Sequence, residues 1–123
     1  MIVICILFNR WFFGNKKRVE AEKLLMLDIN KEGSFLVRKS ESRPGEYALS
    51  VRDHAGVKHY RIRLKDNGEL FLSQSAAFTT LSDLIKHHEN FQDGLCISLK
   101  IPCVEVSIEK ICIVVNICLY FHI

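Results

Sequence analysis

Apolar side chains recur at three- and four-residue spacing between Lys17 and Leu27, where Ala21, Leu24, Leu25 and Met26 sit among charges and Val19 stands on the approach. That period predicts an amphipathic helix of about three turns, with Asn15 as its cap. Asp28 to Gly33 breaks the pattern, and strand-like runs follow. Ser34 to Ser40 is apolar and ends in charge. Glu46 to Asp53 alternates Tyr47, Leu49 and Val51 against Ala48, Ser50 and Arg52. Val57 to Leu64 alternates Tyr60, Ile62 and Leu64 against His59, Arg61 and Arg63. The connections Arg43-Pro44-Gly45 and Asp53-His54-Ala55-Gly56 are short and rich in turn residues, which predicts adjacent antiparallel hairpins. Asp66-Asn67-Gly68 is a further tight turn leading to a short strand at Glu69 to Ser73. A second helix fits Thr80 to Asn90, capped by Thr79 or Thr80, with Asp83 in its first turn and Leu81, Leu84, Ile85 and His88 on one face.

Helix, three or four antiparallel strands, helix: this order predicts an α+β fold, a central antiparallel β-sheet flanked by two α-helices. The 123 residues suffice for one domain. At 49% hydrophobic and 25% charged the composition excludes a disordered, collagen-like or coiled-coil chain. Size excludes a protein kinase, a dehydrogenase or any other large catalytic fold. The net charge of +3 is too mild to mark a nucleic-acid binder by itself.

The ends differ from the middle. Met1 to Phe8 is apolar, without a preceding basic residue or a small-residue cleavage site, and fits a signal peptide poorly. Ile111 to Ile123 is almost wholly apolar but shorter than the ~20 residues of a membrane helix. Two readings compete for these ends: extra strands packing on the domain, or flanking sequence without a structural role. The second is preferred, so the domain is placed at 11–103, with extensions at 1–10 and 104–123. Five cysteines, an odd number without metal-ligand spacing, read as reduced thiols in an intracellular protein rather than as a disulfide framework or zinc site.

Charge is unevenly spread. Thirteen basic residues face eight acidic ones between Asn15 and Asp66, a local excess of five, while the remainder of the chain sums to −2. Arg38 ends the run Phe35-Leu36-Val37-Arg38, where an apolar strand would place another core residue. An arginine there is costly to desolvate unless an anion meets it. Arg18, Ser40, His59 and Arg61 stand at matching places on neighbouring elements, which turns a strand-ending arginine into a candidate anion site.

Here the chain resembles a known family. Phe35-Leu36-Val37-Arg38-Lys39-Ser40-Glu41-Ser42 is similar to the FLVR signature of the Src-homology-2 (SH2) domain, the phosphotyrosine-binding module. Trp11-Phe12-Phe13-Gly14, Ala48 to Asp53, Val57-Lys58-His59-Tyr60 and Asp93-Gly94-Leu95-Cys96 support it, and the resemblance covers residues 11–103. It is nearest to Src-type cytoplasmic tyrosine kinases. The resemblance implies that Arg38 grips two phosphate oxygens and that Arg18 meets both the phosphate and the tyrosine ring. It further implies that Ser40 donates its hydroxyl, that the N–H groups of Glu41 and Ser42 complete an anion-binding loop, and that His59 orients the floor. Arg61 stands where Src-type members usually carry lysine.

A second pocket is implied around Tyr60, Leu72, Ser73, His88, Gly94 and Leu95, its apolar lining favouring Ile, Leu or Val three residues beyond the phosphotyrosine. His88 departs from the tyrosine common in Src-type members. The resemblance thus implies a monomeric module binding tyrosine-phosphorylated proteins or peptides in the cytoplasm, with no cofactor, no metal, no nucleic acid and no membrane contact except through partners. No glycine-rich nucleotide loop, HRD or DFG occurs in the chain, so no enzyme is expected. Two alternatives stand beside it. One is a catalytically incomplete remnant of a non-receptor tyrosine kinase without an independent role. The other is a double-stranded-RNA-binding domain, which shares the element order but needs a lysine-rich start to the second helix, where this chain has Thr79-Thr80-Leu81-Ser82-Asp83.

Overall fold

The computed structural model describes residues 10–105, so most of both apolar extensions lies outside the described residues. Helix α1 spans Arg18–Leu25. Its cap is Lys17 rather than Asn15. Lysine has no acceptor to offer a helix end, so two carboxylates do the capping. Glu20 accepts the N–H of Lys17 at 3.2 Å, and Glu41, from a distant loop, accepts that of Arg18 at 2.8 Å. At the other end Arg52 reaches the carbonyls of Leu25 and Leu27, each at 3.1 Å, and that of Asn30. A cation at a helix C-terminus complements the dipole and satisfies orphan carbonyls.

Strands β1 (Ser34–Lys39), β2 (Tyr47–Asp53) and β3 (Gly56–Leu64) form the expected antiparallel meander. Strand β4 is shorter than expected, Leu70–Phe71, and pairs with the end of β3. The sheet is not purely antiparallel, because β5 (Ile101–Pro102) adds to β1 in parallel, giving the order β4-β3-β2-β1-β5. Helix α2 covers Leu81–Asn90 with Thr80 as its cap, whose Oγ1 accepts the Asp83 N–H at 3.1 Å. The chain stays attached beyond 103: Asn30 accepts the Val104 N–H at 2.8 Å and donates to its carbonyl at 3.1 Å.

Burial on both faces explains why β1 reads as an unbroken apolar run. Phe35 and Val37 join Leu49, Val51 and Ile62 beneath Leu84 and Ile85 of α2, while Leu36 packs on the opposite side with Ala21 and Leu25 of α1 and Cys103. Period-two alternation therefore puts Leu36 and Arg38 on the α1 side. Register carries the row onward, with Ser50 paired to Leu36 and to His59, and Ala48 paired to Arg38 and to Arg61. Leu64 falls outside the alternation expected for β3 and is half exposed, because the pairing of β3 with β2 ends at Ile62.

Leu49, fully buried in the central strand, and Leu64 test this arrangement. Leu49→Ala should lower the unfolding free energy by about 2–5 kcal/mol in urea titrations, whereas Leu64→Ala should change it by less than about 0.5–1 kcal/mol.

Candidate functional site

Arg38 reaches the α1 side of the sheet with only 4% of its surface exposed. Its Nε donates to Ser50 Oγ at 3.2 Å and its Nη2 to His59 Nδ1 at 3.3 Å. A guanidinium carries five N–H donors, so three remain without an acceptor among the described residues. No carboxylate forms an ion pair with it among the described residues. Burial, the largest influence, lowers its pKa from the usual arginine value, yet a guanidinium stays charged in proteins. The result is a buried cation with donors to spare among the described residues.

His59 holds that cation in place. Ser50 Oγ lies 2.8 Å from its Nδ1, and Glu22 Oε1 of α1 lies 2.8 Å from its Nε2. Arginine can only donate and an ionised carboxylate can only accept, so the proton sits on Nε2 and Nδ1 takes hydrogen bonds from Arg38 and Ser50. The ring is therefore neutral. Burial first, then the charges of Arg18 and Arg38, lower its pKa against the opposing pull of Glu22. Glu22 in turn is held below the usual carboxylate value, chiefly by the His59 hydrogen bond.

Arg18 projects from the first turn of α1 and is mostly exposed, its side chain held among the described residues by a 3.4 Å contact to Glu22 one turn along. Such an exposed pair restrains it weakly. Ser40 Oγ accepts the Arg43 N–H at 3.2 Å, which leaves its own proton to donate. The N–H groups of Glu41 and Ser42 make no hydrogen bond among the described residues. Arg61 is placed differently. It lies in the row of Arg38 but two strands away, and Glu46 engages it at 2.7 and 3.0 Å. Glu22, Ser50 and Glu46 were missed from sequence, although the four-residue spacing of Arg18 and Glu22 was visible.

The residues of the second cluster are joined in part. Tyr60 Oη accepts the Cys96 N–H at 3.0 Å, and Leu72 packs against the core cluster that includes Leu95. Ser73 and Gly94 meet across the gap, a Cβ built on Gly94 lying 3.6 Å from that of Ser73. His88 is buried, its Nδ1–H directed at the Gln92 carbonyl, 3.3 Å away. Its neighbour His87 meets Asp93 at 2.8 Å. His87, His88 and Asp93 bring one ligand atom each within 4.8 Å of one another. That spread is wider than the roughly 3.3 Å between ligands that zinc bonds of about 2.0–2.1 Å imply.

A family model described as SH2 domain matches residues 11–88. The chain belongs to the SH2 family. Its domain is thus a phosphotyrosine-binding module of the kind found in a tyrosine kinase, and the RNA-binding alternative is set aside. Among curated proteins, the human tyrosine-protein kinase FRK is 48% identical over 98 residues, which cover 80% of this chain and 19% of that kinase. The chain therefore spans about a fifth of the length of this relative. Among the described residues no helix is long and apolar enough to cross a membrane.

The SH2 site makes a testable link between proton and stability. A histidine whose folded pKa is depressed favours the unfolded chain as it binds protons. Its contribution is fully present above the ordinary value of 6.5 and is lost as pH falls through the lower folded value. Between about pH 7 and pH 5 the unfolding free energy should fall with acid, and His59→Asn should show a shallower slope in urea titrations across that range.

Proposed function

We propose that this SH2 domain binds tyrosine-phosphorylated peptides through Arg38 and reads an apolar residue three positions beyond the phosphotyrosine. One observation carries the reading: a guanidinium 4% exposed, with three donors unspent and no carboxylate partner among the described residues. Phosphotyrosine brings about −1.5 to −2 charges and three acceptor oxygens. Two of those oxygens suit the parallel N–H bonds of one guanidinium, a geometry that lysine cannot reproduce. Ser40 Oγ and the free amides of Glu41 and Ser42 would take the remaining oxygen lone pairs. Arg18, weakly held, is free to swing onto the phosphate and over the ring face.

Depth sets selectivity for the amino acid. A phosphoserine is too short to carry its phosphate to a guanidinium at the floor. Arg61, already paired with Glu46, contributes its charge to the rim rather than a contact to the phosphate. The apolar side chains of Tyr60, Leu72 and Leu95 support a preference for Ile, Leu or Val, whose burial contributes roughly 1.5–3 kcal/mol. The relative's kinase activity is its own, and this chain's part is recognition.

Calorimetric titration with a pTyr-x-x-Ile peptide and its unphosphorylated twin tests the reading. The phosphorylated peptide should bind and the twin should not. Arg38→Lys should weaken binding at least about a hundredfold, since each hydrogen bond to a charged group contributes roughly 1.5–3 kcal/mol. Arg38→Ala should abolish it, both variants keeping the parent circular dichroism. Retained affinity in either folded variant would overturn the assignment.

A further inference from the structure

The two outer arginines of the proposed socket are held unequally. Arg18 meets Glu22 through one 3.4 Å contact, with its side chain 62% exposed. Arg61, with its side chain 39% exposed, donates its Nε–H to Glu46 Oε1 at 2.7 Å and an Nη2–H to Oε2 at 3.0 Å. Two parallel, charge-assisted bonds of this kind are the strong form of an arginine–carboxylate contact. Each partner steadies the other's charge. Glu46 is held below the usual carboxylate value, chiefly by its hydrogen bonds from Arg61, and Arg61 above the usual arginine value, chiefly by those to Glu46.

Glu46 does not depend on Arg61 for its place. Its carbonyl accepts the Ser40 N–H at 3.0 Å, and its own N–H donates to the Arg43 carbonyl at 3.0 Å. The backbone of the loop between β1 and β2 therefore fixes the carboxylate just ahead of Tyr47. Arg61, in turn, belongs by register beside Arg38. Arg38, Ala48 and Arg61 stand abreast on β1, β2 and β3, and residues directly opposite one another share a face of the sheet. The two arginines thus flank a trough about two strand spacings wide, with only the methyl group of Ala48 between them. In the proposed reading the phosphotyrosine ring lies over that methyl group, with Arg38 at one side and Arg61 at the other.

We infer that Glu46 is a positioning residue for phosphotyrosine recognition: its two-pronged grip keeps Arg61 off the phosphate, so that the socket closes with Arg38 and Arg18 and binds less tightly than three arginines would. The inference rests on the proposed phosphopeptide reading and deepens it, since it says which of the outer cations the ligand recruits. A phosphate gains Arg18 by displacing one long, exposed contact. To gain Arg61 it must displace two short ones from a carboxylate that the loop backbone holds in place.

The test is a double-mutant cycle, read by calorimetric titration of a pTyr-x-x-Ile peptide on the full chain, Glu46→Gln, Arg61→Gln and the double variant. Glu46→Gln keeps the shape of the side chain and both backbone bonds while removing the charge. It should tighten binding by about two- to tenfold, between the effect of an exposed ion pair and that of one charge-assisted hydrogen bond. Added to Arg61→Gln, the same change should alter affinity by less than about twofold, because Arg43 and Arg63 still act on the Glu46 carboxylate. Glu46→Ala serves in the same cycle should glutamine disturb the circular dichroism. Unchanged or weaker binding in Glu46→Gln overturns the inference. So does a gain of equal size in the Arg61→Gln background, which would make Glu46 a repulsive charge and nothing more. Absence of phosphopeptide binding in the parent chain would instead overturn the reading of Arg38, and the role of Glu46 with it.

Discussion

Everything in this domain is arranged around one buried positive charge. A guanidinium among Leu36, Ser50 and the underside of α1 is poorly solvated, and removing an ion from water carries a penalty of several kcal/mol after relaxation. The fold offsets it only in part, with Ser50 and a neutral His59 as acceptors. Full neutralisation by a carboxylate would have closed the site to other anions. In the function proposed above, a partly satisfied cation serves as a binding site, because the free energy of its missing hydrogen bonds becomes available to whatever anion fits.

Three carboxylates make the resting arrangement tolerable without blocking it. Glu22 stands behind His59 and fixes its proton on the far nitrogen. Glu41 takes the N–H of Arg18 at the helix entrance, and Glu46 holds Arg61 on the rim. None of them reaches Arg38 itself. The charge cluster is thus nearly balanced at its edges and unbalanced at its centre, which is where the proposed function puts the phosphate.

The two ends of the binding surface follow different physics. The arginine socket stands on sheet and helix, fixed by register and by packing of Leu36 against Ala21 and Leu25. The second pocket is bounded by loops and held by exposed hydrogen bonds, each contributing little and each breakable. In the proposed reading, a rigid anchor beside a loop-bounded pocket separates the affinity common to phosphotyrosine ligands from discrimination among them. The human kinase relative is matched over 98 residues, 19% of its length, so this division of labour concerns the recognition module alone.

The amino-acid pattern was enough for both helices, the meander and the place of Arg38, because each is a matter of local period or of one misplaced charge. The resemblance supplied roles for Arg18, Ser40 and His59 through matched positions. Other features depended on long-range pairing. Ile101–Pro102 is too short to declare itself a strand, and becomes one only beside Ser34 and Phe35. Lys17 displaced Asn15 as the cap because Glu41, more than twenty residues further along, supplies the acceptor. His59 needed Glu22 for its tautomer, Arg61 was claimed by Glu46, and Asp93 found its partners only when the loops brought Ser73, Ser75 and His87 to it. Periodicity is written along the chain; which carboxylate meets which donor is decided where distant segments cross.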